Sequence, residues 1–228
     1  MTTINSFPNQ ESLTKNLTNM VEEELNSAIS QNNLTSIVVS GGSTPKPFFN
    51  ELKKRNIDWS KIYITLADER WVSATSADSN ENLVRANLLA ENTNFTPLKN
   101  SAKTAKEGLN ETEEKLRRHK KPFDIVILGM GTDAHFASIF PDSSNLSSLL
   151  DPFNQKLCEI SSSKNHKYER ITLTLSTLLR SHKIIIHITG DKKKTIIENA
   201  LKSKDCKKYP IYAILEQKKV PVEIYWSP

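Results

Sequence analysis

The sequence predicts an α/β fold: a Rossmann-like three-layer sandwich with a mostly parallel sheet covered by helices on both faces. Two observations carry this prediction. Short apolar, β-branched runs such as Thr35–Ser40 and Lys183–Thr189 have the composition of buried strands. Amphipathic helical segments separate these runs, and strands that alternate with helices form βαβ units with right-handed crossovers. No repeat or Gly/Pro-rich linker divides the 228 residues, so we expect a single domain over residues 1–228.

The individual elements follow from local patterns. Apolar residues at four-residue spacing, from Leu13 to Ile29, predict a helix over about 10–30. The next run ends in Gly41-Gly42, which predicts a buried strand followed by a tight turn. Further helices are expected at about 45–55, 79–90, 103–120 and 192–202. Further strands are expected at about 61–66, 124–128, 171–175, 183–189 and 222–226.

Composition indicates the cellular setting. Hydrophobic residues make up 37% of the chain and charged residues 25%, which is typical of a soluble globular protein. Cys158 and Cys206 lie far apart and outside CxxC spacing. That pattern favours a reducing cytoplasm over a secreted disulfide framework or a structural zinc site. The sequence has neither a signal-like start nor an apolar run of membrane length, so we expect no export and no membrane partner.

The net charge is +5, from 31 basic and 26 acidic side chains. A basic balance suits nucleic acid or a small anionic ligand. No arginine-rich arm, aromatic RNA-binding run or zinc-finger spacing accompanies it, so we expect no nucleic-acid partner. An acidic small substrate explains the charge equally well.

In open parallel sheets, ligands bind beyond the carboxyl ends of the strands. The first such segment is the turn Ser40–Pro45 (SGGSTP), in which Ser43 or Thr44 is placed to cap the following helix. Free backbone amides and the positive end of the helix dipole there suit a phosphate. The alternative is an ordinary tight turn that needs glycine for its geometry. No GK[ST] follows, so the turn is not a Walker loop.

A second segment places three consecutive charges, Asp68-Glu69-Arg70, at the end of a predicted strand. The planar guanidinium of Arg70 can hold a phosphate or carboxylate oxygen. The alternative is a surface ion-pair cluster. Arg170 precedes a predicted strand, and Lys193 lies at the start of a predicted helix that follows another strand. Both add cations to the same edge of the sheet.

The third segment, Gly129–His135, matches a loose GxGxxA pattern. A dinucleotide site is disfavoured, because the pattern does not follow the first strand and lacks a well-placed acidic partner. Asp133 and His135 are more informative, since an imidazole beside a carboxylate suits general-base chemistry. No GxSxG elbow is present, so a serine hydrolase is poorly supported. The other histidines lack metal-ligand spacing and are expected to be structural or solvent-facing: His119, His166, His182 and His187.

These segments, in this order and spacing, resemble the 6-phosphogluconolactonase family over nearly the whole chain. The block FDIVILGMGTDAHFASIFP around His135 is the most specific, and Asp78-Ser79-Asn80, ERITLTLSTLL and ITGDKK add to it. The glycine-rich turn is shared with glucosamine-6-phosphate deaminases and with sugar-binding regulators. The lactonase branch is favoured by DERW at 68–71, by ASIFP after His135 and by ERIT. Four positions depart from the family pattern: Thr132, Ala134 and Phe136 stand where the family usually has proline, glycine and threonine, and Ser43 replaces a usual arginine or similar residue.

The resemblance implies hydrolysis of 6-phospho-D-glucono-1,5-lactone to 6-phosphogluconate in the pentose phosphate pathway, without metal or nucleotide cofactor. His135 is then the candidate base and later the proton donor, while Asp133 either orients His135 or binds a sugar hydroxyl. The resemblance implies that phosphate and other substrate groups are bound by Gly41, Gly42, Ser43, Thr44, Asp68, Arg70, Arg170 and Lys193. It leaves open which cations face the phosphate and which face the oxyanion. The chain is expected to be a monomer or a weak homodimer.

Two alternatives remain open at this stage. A deaminase or aldose–ketose isomerase would use Asp68 as its base. A non-catalytic sugar-phosphate sensor would share the fold and the phosphate turn, but such regulators normally add a helix-turn-helix, and only one helix precedes the first predicted strand.

Overall fold

The computed structural model describes residues 2–228, which form ten strands and eight α-helices. The strands are β1 (Thr2–Ser6), β2 (Thr35–Val39), β3 (Ile62–Leu66), β4 (Asp68–Arg70), β5 (Asn94–Thr96), β6 (Phe123–Leu128), β7 (Cys158–Ser161), β8 (Arg170–Leu173), β9 (Ser181–Thr189) and β10 (Val222–Ser227). The helices are α1 (Gln10–Asn32), α2 (Lys46–Leu52), α3 (Asn80–Asn87), α4 (Ala105–Arg117), α5 (Leu146–Leu149), α6 (Leu175–Leu178), α7 (Asp191–Ser203) and α8 (Tyr212–Glu216).

Seven strands form the central sheet in the order β1-β10-β9-β6-β2-β3-β5. Every neighbouring pair in this sheet is parallel. All residues of β2 and β6 are buried, and consecutive strand residues point to opposite faces, so both faces of the sheet centre are covered. The predicted α/β class with a mostly parallel sheet is therefore confirmed.

A second, antiparallel sheet has the order β4-β8-β7. The strand predicted at 171–175 belongs to it: β8 spans Arg170–Leu173 and pairs antiparallel with both neighbours instead of joining the parallel sheet. The chain gives the reason, because β4 begins two residues after β3 ends and turns away from the main sheet. Its register sets Asp68 opposite Thr172 and Arg70 opposite Arg170.

Helix α1 buries the predicted apolar stripe and is capped by Asn9, whose side chain accepts from the amide of Ser12 at 2.8 Å. The prediction that Ser43 or Thr44 caps the next helix is wrong. Helix α2 begins at Lys46 with Pro45 in the N-cap position, and because proline has no hydroxyl, no side chain caps it. In residues 2–228, no helix combines the length and apolarity needed to cross a bilayer.

Candidate active site

A cleft of about 220 Å³ lies where the main sheet and the small sheet meet. It is lined by the turn after β2, by Asp68 and Arg70 of β4, by the loop after β6, and by residues of α3, β8, β9 and α7. Nine of the ten predicted site residues line it: Gly41, Gly42, Ser43, Thr44, Asp68, Arg70, His135, Arg170 and Lys193. The tenth, Asp133, is outside the lining and contacts His135, which does line the cleft.

The turn after β2 is shaped by its two glycines. Gly42 has a φ of 104°, in the region that favours glycine. A side chain at Gly41 would overlap the carboxamide of Asn80. Within residues 2–228, the amides of residues 41–44 donate to no protein acceptor. The turn therefore lines the cleft with backbone amides that have no protein acceptor, even though α2 has no side-chain cap.

His135 is held by Asp133. The distance between His135 Nδ1 and Asp133 Oδ1 is 2.5 Å, and the backbone amide of His135 also donates to that oxygen at 3.3 Å. Burial alone would raise the pKa of Asp133, but the hydrogen bond from His135 and its charge lower it to about 2. The carboxylate is therefore ionised at neutral pH and accepts a hydrogen bond from Nδ1–H, which leaves Nε2 as the nitrogen with a free lone pair.

The loop that carries this pair has unusual backbone geometry. Ala134 has a φ of 66° and Ala137 a φ of 47°, both in the left-handed region. The amide of Gly131 donates to the carbonyl of His135 at 2.9 Å and closes the loop. The glycine that family members usually carry at Ala134 is thus explained by its conformation, and this chain accepts the strain of an alanine there.

His166 lies close to this pair, which the sequence did not indicate. Its Nε2 is 3.9 Å from Asp133 Oδ2, and its ring stacks on Phe140 with 4.3 Å between centroids. Burial, Arg170 and His135 together lower the pKa of His166. Ligand atoms of Asp133, His135 and His166 lie within 4.8 Å of one another. The first two are engaged with each other, which favours acid–base use of the group over metal binding.

Asp68 is buried and held by three donors. Ser138 Oγ lies 2.5 Å and Arg170 Nη1 3.4 Å from its Oδ2, while Asn80 Nδ2 lies 3.3 Å from its Oδ1. The Ser138 amide also donates to Thr172 Oγ1 at 3.1 Å. Ser138 thus joins the loop after β6 to both strands β4 and β8. Ser138 and Asn80 were missed at the sequence level, because a small polar residue gains a role only from the strands it bridges.

The cationic side chains that line the cleft have N–H groups without a hydrogen-bond acceptor among the described residues. Arg70 donates from Nη1 to the carbonyl of Asp78 at 2.6 Å, but its Nε and that of Arg170 have no partner among the described residues. Burial lowers the pKa of Lys193, and no charged group opposes that shift. One buried and two half-buried cations with free donors favour an anionic ligand.

Glu69 has a structural role, unlike its charged neighbours Asp68 and Arg70. Its carboxylate accepts from the amides of Asn80 and Glu81 at 2.8 and 2.7 Å and from Ser79 Oγ at 3.0 Å. Burial raises its pKa despite these bonds. It anchors the start of α3 and places Asn80, so of the three consecutive charges only Asp68 and Arg70 line the cleft.

Several known proteins are similar to this chain over nearly its full length. The chain is 38% identical over 225 residues to a 6-phosphogluconolactonase of Rhizobium meliloti, covering 97% of each chain. The crystal structure of a 6-phosphogluconolactonase from Shewanella baltica superposes with a TM-score of 0.97 at 41% identity and covers 100% of this chain and 98% of its own. A structure from Neisseria gonorrhoeae titled a putative 6-phosphogluconolactonase gives 0.91 at 30% identity, with 100% of both chains covered.

The family model described as glucosamine-6-phosphate isomerases/6-phosphogluconolactonase matches residues 8–226. That span includes every predicted site residue and both sheets except β1 and the last residue of β10. The chain therefore belongs to the glucosamine-6-phosphate isomerase/6-phosphogluconolactonase family.

Proposed function

We propose that this protein hydrolyses 6-phospho-D-glucono-1,5-lactone to 6-phospho-D-gluconate, the lactone-opening step of the pentose phosphate pathway. One observation carries the proposal: a histidine oriented by an ionised carboxylate lines a cleft whose other lining residues include three cations. The names of similar proteins, at up to 38% identity along the full chain, support the same activity.

The geometry suits a general-base mechanism. His135 Nε2 takes a proton from a water molecule, and the water oxygen attacks C1 of the lactone. The ionised Asp133 stabilises the imidazolium that forms. The negative charge that develops on the carbonyl oxygen is offset by cationic or amide donors of the cleft. Collapse of the tetrahedral intermediate breaks the bond between C1 and the ring oxygen, and His135 returns its proton to that oxygen.

The remaining assignments follow the same reasoning. The phosphate is bound by the amides of residues 41–44 together with cations drawn from Arg70, Arg170 and Lys193. Asp68 contacts the substrate while it fixes Arg170. The ligand is a small sugar phosphate; the protein acts in the cytoplasm as one domain, without nucleic acid or membrane, as a monomer or weak homodimer.

The contacts of Asp68 weigh against the deaminase alternative. A deaminase needs a carboxylate that moves the C2 proton of an opened sugar. Asp68 already accepts from Ser138, Arg170 and Asn80, so both of its oxygens are engaged by donors within the protein. His135, by contrast, keeps one ring nitrogen free.

A two-substrate assay tests the proposal. The protein is incubated with freshly made 6-phosphogluconolactone and, separately, with glucosamine 6-phosphate, and acid and ammonia release are followed. We expect acid release above the fast uncatalysed background and no ammonia. Ammonia without acid would place the protein in the deaminase branch, and binding of both sugars with neither product would indicate a sensor.

A further inference from the structure

His187 is a buried histidine that lines the cleft. It lies on β9, two residues before the strand ends, and 2% of its surface is exposed. Neither ring nitrogen has a hydrogen-bond partner among residues 2–228. An imidazole that loses its hydration without a protein partner destabilises the fold, so its presence requires an explanation.

His119 provides the comparison within the same chain. It is 5% exposed, and both of its ring nitrogens are also without partners. Its ring lies between those of Tyr63 and Phe123, at 5.9 and 5.6 Å between centroids, and it does not line the cleft. His119 is thus a buried histidine that packs against two aromatic rings and lies away from the cleft. His187 has one aromatic neighbour of this kind, Phe48 at 6.2 Å, and borders the ligand cavity.

Two further donors that have no partner in the described chain line the same cavity as His187. Burial and the charge of Lys193 lower the pKa of His187 to about 4, so the ring is neutral at pH 7 and carries one N–H. Ser40 also lines the cleft, and its buried hydroxyl has no partner in the described chain. An N–H, a hydroxyl and an ammonium therefore border the same cavity, and each of the three donors lacks a hydrogen-bond acceptor among the described residues.

We infer that His187 is a binding residue that donates its ring N–H to an oxygen of the ligand's phosphate group, on the side of the cleft formed by β9 and Lys193. The inference rests on the proposed function and adds a residue to its phosphate site. A half-turn of the ring about the Cβ–Cγ bond exchanges each nitrogen with a ring carbon in the same volume. A nitrogen can therefore face the cleft without repacking Phe48.

In this inference, His187 contributes to ligand affinity, and His135 remains the general base. His187 has no carboxylate partner to orient it or to stabilise an imidazolium. A hydrogen bond to the phosphate is made equally in the bound substrate and in the transition state, because the phosphate does not react. Its loss therefore raises KM and the ligand Kd by a larger factor than it lowers kcat.

The test uses three variants and two ligands. Calorimetry measures the Kd of 6-phosphogluconate and of inorganic phosphate for the wild type, His187→Phe, His187→Gln and His119→Phe. Phenylalanine keeps an aromatic ring against Phe48 and removes the donor, whereas glutamine keeps an N–H. We expect His187→Phe to weaken both ligands by about tenfold or more, His187→Gln to recover part of the affinity, and His119→Phe to bind as the wild type does.

Several outcomes overturn the inference: unchanged affinity in His187→Phe, an equal loss in His119→Phe, or no binding of either ligand by the wild type. Equal binding by the phenylalanine and glutamine variants would also contradict it, since only the N–H distinguishes them in the proposed role. The calorimetric measurement needs no turnover. A wild type that binds phosphate ligands but opens no lactone would refute the proposed function. The effect of the His187 variants on Kd would still test the role of His187 in that case.

Discussion

Replacing Gly131 with alanine is expected to inactivate the protein by moving its candidate base. The α-carbon of Gly131 packs against the hydrogen bond between Asp133 and His135. A Cβ built there lies 2.6 Å from Asp133 Oδ1 and closer still to the ring of His135, while ordinary contact begins at 3.4 Å. The carboxylate and the imidazole must therefore retreat by about 1 Å, and a misplacement of that size costs ~10²-fold in rate.

Gly129→Ala is the matched control. A Cβ at Gly129 meets nothing within 4 Å, and its φ is not in the glycine region. Both variants add one methyl group to the same loop, and only the methyl at Gly131 overlaps Asp133 and His135, the proposed catalytic pair. The assay is kcat on 6-phosphogluconolactone, with urea unfolding as a check on stability. Equal activity of the two variants would refute the reasoning, as would an inactive Gly131→Ala whose unfolding midpoint has collapsed.

Three further predictions concern activity, specificity and stability. His135→Ala should lower kcat by ~10²–10⁴-fold with an unchanged urea midpoint, and His182→Gln, at an exposed histidine, should match the wild type; retained turnover in His135→Ala would exclude it as the base. Unphosphorylated gluconolactone should have a much lower kcat/KM than the phosphorylated lactone, and comparable values would show that the cations do not bind phosphate. Burial holds the pKa of His119 at about 4 against the ordinary 6.5, so only the unfolded state takes up that proton between these values and stability falls as pH drops through this range. From pH 7 to pH 5, the unfolding free energy of His119→Phe should therefore decrease by about 2 kcal/mol less than that of the wild type. Identical pH dependence of the unfolding free energy in variant and wild type would contradict this.

The main sheet was predictable because its central strands are uniformly apolar. TSIVV of β2 and FDIVIL of β6 are buried at every position, and burial on both faces removes the alternation that other strands show. β1 reads TTINS and lies at the edge of the sheet, and β4 is three charged residues, DER. These strands form through pairing with distant partners, and no local pattern of hydrophobicity predicts that pairing.

The geometry of the candidate site was predictable where its residues lie in one segment. Asp133 and His135 are two residues apart, so their contact follows from proximity in the chain. The approach of His166 does not: it depends on the segment before β8 folding over Phe140. The partners of Asp68 are likewise distant, since Ser138 and Arg170 lie 70 and 102 residues away. Long-range contacts of this kind are set by the register of the small sheet.

That register also sets Arg70 directly opposite Arg170. Like charges on facing strand positions repel each other, and the pKa of Arg170 is lowered mainly by burial and partly by the charge of Arg70. The two strands therefore pair against an electrostatic cost, which the carboxylate of Asp68 offsets only in part. A bound dianion would neutralise that cost and raise the free energy of unfolding by mass action. If both guanidinium groups bind the phosphate of the proposed substrate, the ligand also stabilises the small sheet, and the same two side chains contribute to folding stability and to substrate affinity.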